Sequence, residues 1–432
     1  MRLIHLLCAL LLVCTACAAP QPSTCTDGFT CTTLRVPLDH QRTDGPSLDL
    51  AVIASDNVDA PRGVLLMLAG GPGQPGVSLL PRIRNNIHPD VLREYRVVMF
   101  DQRGTGPKGI DCPALQGTVG GSDFLTPPGE AVDECAQRIG AGLGYYGTPD
   151  TVEDIELLRQ YLKVDRLTLD GTSYGSFTAA QYGLKYPDHV QALVLDSVVP
   201  HKGFDPTGVD LMAATGGVLT AACRQDPACT TDPVADLAWL VQHGVSGTDL
   251  MESLSVASLN SVNPSLQGIP AILHAARNGD DAGLKELFQQ TTSKGLSYDT
   301  LSAGLHMATL CSDLRFPWSG TTNRTAALDT AVRRLDPKRL YPYDVATARE
   351  QLMIQGCLRW PAARVSTYPA GQELLPRTLI LHGSNDLFCP LVWARWEQAH
   401  ARSARLVVVP GSGHSVQRDP RGQEAVRAFL LV

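Results

Sequence analysis

One serine in the chain lies in a pattern that favours nucleophilic chemistry. The segment Gly171-Thr172-Ser173-Tyr174-Gly175 matches G-x-S-x-G, which is typical of a sharp strand-to-helix turn that exposes its central serine. A short strand is predicted over Arg166–Leu169, directly before this turn, and a stretch rich in small residues follows. Side chains two residues before and after the serine would collide in such a turn, and glycine removes this collision. The pattern therefore predicts Ser173 as a nucleophile, with a helix starting near Gly175.

A serine hydroxyl is a poor nucleophile unless a base removes its proton and a carboxylate orients that base. Asp386 follows the strand-like run Thr378–Leu381, and His414 follows the strand-like run Arg405–Val409. Loops at the carboxyl ends of parallel strands meet at one edge of a sheet, and there the triad residues follow in the order Ser, acid, His. The order along this chain therefore predicts Asp386 and His414 as the partners of Ser173.

Three other polar residues also end predicted strands: Asp170, Asp196 and His382. The two aspartates have the wrong order relative to the serine, and His382 precedes the predicted acid. We interpret the aspartates as residues that cap turns and His382 as a packed histidine or a turn histidine.

Acyl transfer also needs N–H donors for the developing oxyanion. The backbone N–H of Tyr174, directly after the serine, is the first predicted donor. The second is expected from the turn Gly70–Gly73, which follows the apolar run Gly63–Leu68. Pro72 has no N–H, so Gly71 is the preferred donor in this turn and Gly70 is the alternative.

The elements around these residues predict an α/β protein. Strand-like runs alternate with helical stretches over residues 34–200, which indicates a mostly parallel sheet covered by helices. Residues 201–372 contain helical stretches and few strand-like runs. The alternation resumes over 373–432. We therefore expect a core in two parts, 34–200 and 373–432, with a helical cap inserted between them.

Some local predictions are more detailed. The glycine-rich segment Cys112–Gly147 is expected to be irregular. An amphipathic helix is expected over Thr151–Lys163, with Thr151 or Asp150 as N-cap and Asp154 at capping-box spacing. A further single helix is expected over Val345–Gln355.

The N-terminus has the form of an export signal. A basic residue and a short apolar run are followed by small residues, which predicts a signal peptide over residues 1–19. Ala16-Cys17-Ala18 fits an ordinary cleavage site. Thr15-Ala16-Cys17 resembles a lipoprotein signal instead, in which residues 1–16 are removed and Cys17 carries the lipid. We expect export from a bacterial cytoplasm, with membrane attachment only if Cys17 is lipidated.

Cysteine usage agrees with an oxidising compartment, where most cysteines pair. Nine cysteines follow Cys17, and proximity in the sequence predicts four disulfides with Cys389 left free. The predicted pairs are Cys25–Cys31, Cys112–Cys135, Cys223–Cys229 and Cys311–Cys357. The formal net charge of −7 and the lack of a basic run argue against a nucleic-acid-binding protein.

Several motifs together resemble a known family. Ala69-Gly70-Gly71-Pro72-Gly73, Asp101-Gln102-Arg103-Gly104-Thr105-Gly106 and Gly171–Ser176 are similar to those of α/β-hydrolase peptidases of the prolyl aminopeptidase type. The greatest likeness is to secreted tripeptidyl aminopeptidases, and it extends through Cys311-Ser312-Asp313 and Cys357–Pro361. The chain departs from the pattern at Ala69, where histidine is usual, and at Cys389, where a small hydroxyl residue is expected.

The resemblance implies the α/β-hydrolase fold with a helical cap. It also implies an exported serine aminopeptidase, prolyl or tripeptidyl in type, that acts on short peptides without a metal or organic cofactor. Family members share an acidic residue in the segment of Asp313, so this residue is the predicted site for the substrate ammonium. Two alternatives stay open: an exported carboxylesterase or lipase with the same triad, and a non-catalytic binding protein on the same fold.

Overall fold

The computed structural model describes residues 23–259, 266–361, 366 and 371–432. The predicted signal peptide and Cys17 lie outside these residues. Among the described residues, no helix combines the length and the apolar character needed to cross a membrane.

The described residues form one nine-stranded sheet in the order β1-β2-β3-β5-β4-β6-β7-β8-β9. The strands are β1 Ser23–Thr26, β2 Phe29–Pro37, β3 Ser47–Ser55, β4 Val64–Leu68, β5 Arg96–Phe100, β6 Leu167–Thr172, β7 Val190–Asp196, β8 Leu374–Gly383 and β9 Ala401–Val409. The first three strands pair antiparallel at one edge, and β3 is antiparallel to β5. From β5 to β9 all neighbouring strands are parallel. The predicted α/β class with a mostly parallel sheet is confirmed.

The described ranges contain eighteen α-helices. They are α1 Gly76–Ile83, α2 Pro89–Glu94, α3 Pro113–Val119, α4 Gly129–Ile139, α5 Thr148–Leu162, α6 Tyr174–Lys185, α7 Val209–Gln225, α8 Pro233–Gln242, α9 Gly247–Ala257, α10 Ile269–Arg277, α11 Ala282–Gln290, α12 Ala303–Asp313, α13 Arg324–Val332, α14 Pro337–Leu340, α15 Val345–Glu350, α16 Leu352–Arg359, α17 Leu391–Ala399 and α18 Pro420–Leu430. Helices α7 to α16 all lie between β7 and β8 in the chain.

The central strand β4 shows why the sheet is covered on both faces. All five of its residues are apolar and buried. Leu66 belongs to a large apolar cluster that includes residues of α5 and α6. Leu65 points into a second cluster, formed with residues of α1, α2 and α18. Because successive side chains of a strand point to opposite faces, a continuous apolar run needs two covering layers.

Two local predictions were wrong. The segment Cys112–Gly147 is largely helical, since it contains α3 and α4; a proline begins α3, where its missing N–H costs nothing. The expected helix Val345–Gln355 is instead two helices. Gln351 separates them with an extended backbone, φ −60° and ψ 149°.

The N-cap prediction for α5 was also wrong. This helix begins at Thr148 after Gly147, with a proline in its first turn. Asp154 forms no capping box and instead accepts hydrogen bonds from Arg103, at 2.7 Å from both Nε and Nη2. The buried Arg103 guanidinium also donates to the carbonyl groups of Pro37, Leu38 and Tyr145. This buried ion pair joins the end of β2, the loop after β5 and α5.

The cysteine predictions are confirmed. Disulfides join Cys25–Cys31, Cys112–Cys135, Cys223–Cys229 and Cys311–Cys357. Cys389 is free and buried. The second of these bonds joins the residue before α3 to α4, and the fourth joins α12 to α16.

Candidate active site

Ser173 lies at the turn between β6 and α6. Its backbone has φ 57° and ψ −126°, a conformation that residues with a side chain rarely adopt. A Cβ atom at position 171 would lie 2.2 Å from the carbonyl oxygen of Gly175. One at position 175 would lie 2.3 Å from the carbonyl oxygen of Leu68. Both glycines of the motif are therefore required by the close approach of backbone atoms.

Asp386 and His414 meet at the carboxyl ends of β8 and β9. Nδ1 of His414 lies 3.0 and 3.1 Å from the two carboxylate oxygens of Asp386. Oδ1 of Asp386 also accepts from the backbone N–H groups of Phe388 and Cys389, each at 2.9 Å. Both side chains of the pair are buried. Donation from Nδ1 to the carboxylate leaves Nε2 as the nitrogen that can accept a proton.

The electrostatics of this pair are coupled. Burial alone would lower the pKa of His414, but the charge and hydrogen bond of Asp386 together raise that pKa above its usual value. Burial alone would raise the pKa of Asp386, but His414 outweighs burial and lowers it. The pair therefore favours an ionised carboxylate beside a basic imidazole.

The two other strand-end aspartates hold the loop that carries His414. Asp196 accepts from the backbone N–H groups of Val416 and Gln417 at 2.8 and 3.0 Å. Asp170 accepts from Nε2 of Gln417 at 2.9 Å. Both aspartates therefore bind a distant segment of the chain, after β9. The prediction that they cap their own turns was wrong, because nothing in the neighbouring sequence indicated this long-range contact.

Ionisation of the buried Asp170 carboxyl lowers the stability of the folded protein. Burial, with Asp196 adding to it, raises the pKa of Asp170 to about 7, against about 3.9 in an unfolded chain. A folded-state pKa above the unfolded value means that stability falls as pH rises from about 4 to about 7. The three-unit difference corresponds to about 4 kcal/mol.

We therefore expect Asp170→Asn to raise the free energy of unfolding at pH 8 by up to about 4 kcal/mol. The gain should be nearly absent near pH 3, where Asp170 is mostly neutral in both states. Urea denaturation at the two pH values measures the difference. The exposed Asp59 offers a control in Asp59→Asn. An equal gain at both pH values would contradict the assignment to Asp170 ionisation.

The turn Gly70–Gly73 lies directly against the serine. A Cβ atom at position 70 would come within 3.0 Å of the Ser173 Cβ atom. Gly71 has φ +105°, which favours glycine, and it lines the same cavity as Ser173 and Tyr174. The structure thus brings both predicted oxyanion donors to the serine's cavity.

Helix α12 contacts both of these donor segments. At its N-terminus, the N–H of Ser302 donates to the Gly73 carbonyl oxygen at 2.9 Å. One turn later, Nδ1 of His306 lies 2.8 Å from the Pro72 carbonyl oxygen. At the C-terminus, Asp313 accepts from the Tyr174 hydroxyl at 2.7 Å. Burial first, and then Asp313, raises the pKa of Tyr174 well above its usual value, so this hydroxyl remains a donor.

The position of Asp313 does not fit its predicted role as the ammonium site. Its side chain is buried, and it is absent from the residues that line the cavity. Its carboxylate already accepts from the N–H of Thr148 and from the hydroxyls of Tyr174 and Ser366. The resemblance of the segment around Asp313 to the family did not indicate the direction of this side chain.

A cavity lies beside Ser173. Its walls are mainly apolar. The lining residues are Gly71, Asp123, Phe124, Ser173, Tyr174, Val199, Phe204, Leu211, Leu310, Met353, Phe388, Cys389 and Trp393. Burial raises the pKa of the Cys389 thiol well above its usual value, so this lining group is neutral.

Metal-ligating atoms also meet here. Single potential ligand atoms of Asp386, Cys389 and His414 lie within 4.8 Å of one another. Asp386 and His414 are already hydrogen-bonded to each other through Nδ1. Their geometry thus suits an acid–imidazole pair.

Two separate parts of the chain match known families. Residues 63–230 match the family described as alpha/beta hydrolase fold. Residues 341–432 match the family described as TAP-like protein. The first match contains Ser173, and the second contains Asp386 and His414.

Individual relatives cover different shares of the chain. A tripeptidyl aminopeptidase of Streptomyces lividans is 32% identical over 42% of this chain and 37% of its own length. Serine protease Hip1 of Mycobacterium tuberculosis is 27% identical over 47% of this chain and 43% of its own length. The match therefore spans less than half of each of these two relatives. Carboxylesterase B of Mycobacterium tuberculosis is 29% identical over 93% of this chain and 83% of its own length.

The family resemblance and the α/β-hydrolase fold predicted from the sequence are confirmed by these matches together with the sheet topology. The chain has the α/β-hydrolase fold, and residues 341–432 are similar to the TAP-like family.

Proposed function

We propose that the protein is a serine hydrolase that releases residues from the free N-terminus of short peptides, as a prolyl or tripeptidyl aminopeptidase does. One observation carries the hydrolase assignment. The strained Ser173 turn, the Asp386–His414 pair and two N–H donor segments converge on the carboxyl edge of one sheet. This is the set of groups that acyl transfer through a serine requires.

In the proposed mechanism, Oγ of Ser173 attacks the scissile carbonyl while Nε2 of His414 takes the hydroxyl proton. Asp386 fixes the proton on Nδ1 and stabilises the imidazolium that forms. His414 then gives its proton to the leaving amine, which departs and leaves an acyl-enzyme. Water, activated by the same histidine, hydrolyses this ester and frees Ser173.

The oxyanion is stabilised by the backbone N–H groups of Tyr174 and Gly71. Preorganised donors stabilise charge best when their positions are fixed before the reaction. Helix α12 supplies that fixation through its contacts to Pro72, Gly73 and Tyr174. Asp313 is therefore a positioning residue for Tyr174 in this proposal.

The peptide substrate is supported by the TAP-like C-terminal match and by the two peptidase relatives. We also propose the domain division 34–200, 201–372 and 373–432, with residues 201–372 as a cap over the cavity. Export is supported by the four disulfides, because such bonds persist mainly in oxidising compartments.

A carboxylesterase is the second candidate. Two observations favour it: the mainly apolar cavity and the carboxylesterase relative that aligns over most of both chains. The mechanism would be unchanged and only the leaving group would differ. A non-catalytic binding protein is disfavoured by the complete set of groups around Ser173.

Matched substrates separate these functions. We expect tripeptide and prolyl p-nitroanilides with a free N-terminus to be hydrolysed with kcat/KM about 10- to 100-fold above their N-acetylated forms. The reason is that a buried charged hydrogen bond to the ammonium contributes about 1.5–3 kcal/mol. Equal rates on both forms, together with faster hydrolysis of p-nitrophenyl esters, would favour the esterase.

A further inference from the structure

We propose that Asp123 binds the N-terminal ammonium of the substrate. This residue lies between α3 and α4, outside the segment in which family resemblance placed an acidic site. The inference rests on the proposed aminopeptidase function and specifies its substrate recognition.

The position of Asp123 fits this role. It lines the cavity that also contains Ser173, Tyr174 and Gly71, and it is the charged residue among the described residues that line this cavity. Its side chain is 24% exposed, so a ligand can reach it. Asp313, in contrast, is buried behind Tyr174 and satisfied by protein donors.

One carboxylate oxygen of Asp123 is fixed by the protein. Nε2 of His306 lies 2.9 Å from Oδ1 of Asp123, and the other ring nitrogen faces the Pro72 carbonyl oxygen at 2.8 Å. His306 is buried and stands on α12. Its two contacts tie the position of Asp123 to the turn that carries Gly71.

The second oxygen of Asp123 is available to a ligand. Among the described residues, no hydrogen bond is formed to Oδ2 of this carboxylate. An ammonium group has three donors and no acceptor, so it complements a carboxylate oxygen at a cavity wall. Apolar surroundings strengthen such a charged contact because they lower the local dielectric constant.

The placement also constrains where the substrate is cut. Asp123 and Ser173 line the same cavity, so an ammonium at Asp123 and a carbonyl at Ser173 belong to a short N-terminal stretch of peptide. The site therefore selects an exopeptidase reaction over internal cleavage.

The test compares Asp123→Asn and Asp123→Glu with the wild-type full chain. Substrates are a tripeptide p-nitroanilide with a free N-terminus, its N-acetylated form and a p-nitrophenyl ester. For Asp123→Asn we expect KM for the free-amine peptide to rise 10- to 100-fold, with less than threefold change for the ester. Asp123→Glu keeps the charge and should recover part of this loss. Asp111→Asn, at an exposed residue, controls for the loss of one negative charge.

The outcomes separate this inference from the proposed function. If wild-type protein reacts with a fluorophosphonate probe but shows no preference for the free-amine peptide, the aminopeptidase function fails. If that preference exists and Asp123→Asn retains it, the inference about Asp123 alone is overturned. Equal losses on all three substrates would also overturn it, because they would indicate a structural role for Asp123.

Discussion

Replacing Ser173 by alanine should lower kcat by about 10⁶-fold on peptides and on esters alike, the scale of loss seen when the serine of a triad is removed. The reason is that no acyl-enzyme can form without its hydroxyl. The fold should persist, because alanine keeps the Cβ atom and removes only one oxygen. Hydrolysis rates with both substrate types and the melting temperature measure the two effects.

Reaction with a fluorophosphonate probe gives an independent readout. Intact-mass measurement should show one adduct on the wild-type protein and none on Ser173→Ala. Ser78→Ala, at an exposed serine of α1, is a matched control that should label fully. An adduct that survives in Ser173→Ala would place the nucleophile elsewhere.

Replacing Asp386 by asparagine should lower kcat about 10⁴-fold, as the corresponding change does in a serine protease triad. Oδ1 of the new side chain can still accept from the N–H groups of Phe388 and Cys389, which preserves the loop. Its amide group, however, would donate to Nδ1 of His414. The histidine proton would then sit on Nε2, the atom that must accept from Ser173.

The pH dependence distinguishes this effect from simple misfolding. In the wild-type protein we expect kcat/KM to fall on the acid side with an apparent pKa above 6.5, because Asp386 raises the pKa of His414. Activity requires neutral His414, so the activity is lost when His414 becomes protonated as pH falls. In Asp386→Asn the acid limb should shift to lower pH while the fluorophosphonate reaction becomes slow. An unchanged acid limb would contradict the assigned pair.

The order of elements was enough to predict which loops would meet. Strands that alternate with helices give a parallel sheet, and the carboxyl ends of parallel strands share one edge. This argument selected Asp386 and His414, and the structure places them in hydrogen-bond contact. The glycine motif likewise indicated the strained backbone of Ser173, because its spacing reflects purely local backbone collisions.

The substrate side of the cavity could not be predicted in the same way. Asp123 and His306 lie 183 residues apart in the chain, and only the packing of helices outside the sheet brings them together. Side-chain direction was equally undetermined for Asp313, which points toward Tyr174 rather than into the cavity. No periodicity or motif carries information on such contacts.

Helix α12 limits how the specificity of this protein can be redesigned. It belongs to the segment between β7 and β8, yet Ser302, His306 and Asp313 hold the groups beside Ser173. The Cys311–Cys357 disulfide further fastens it to α16. Exchanging this whole segment for that of another hydrolase, to alter specificity, would remove the supports of the reaction centre along with the binding surface. A usable graft must leave α12 with its native scaffold and vary only the helices beyond it.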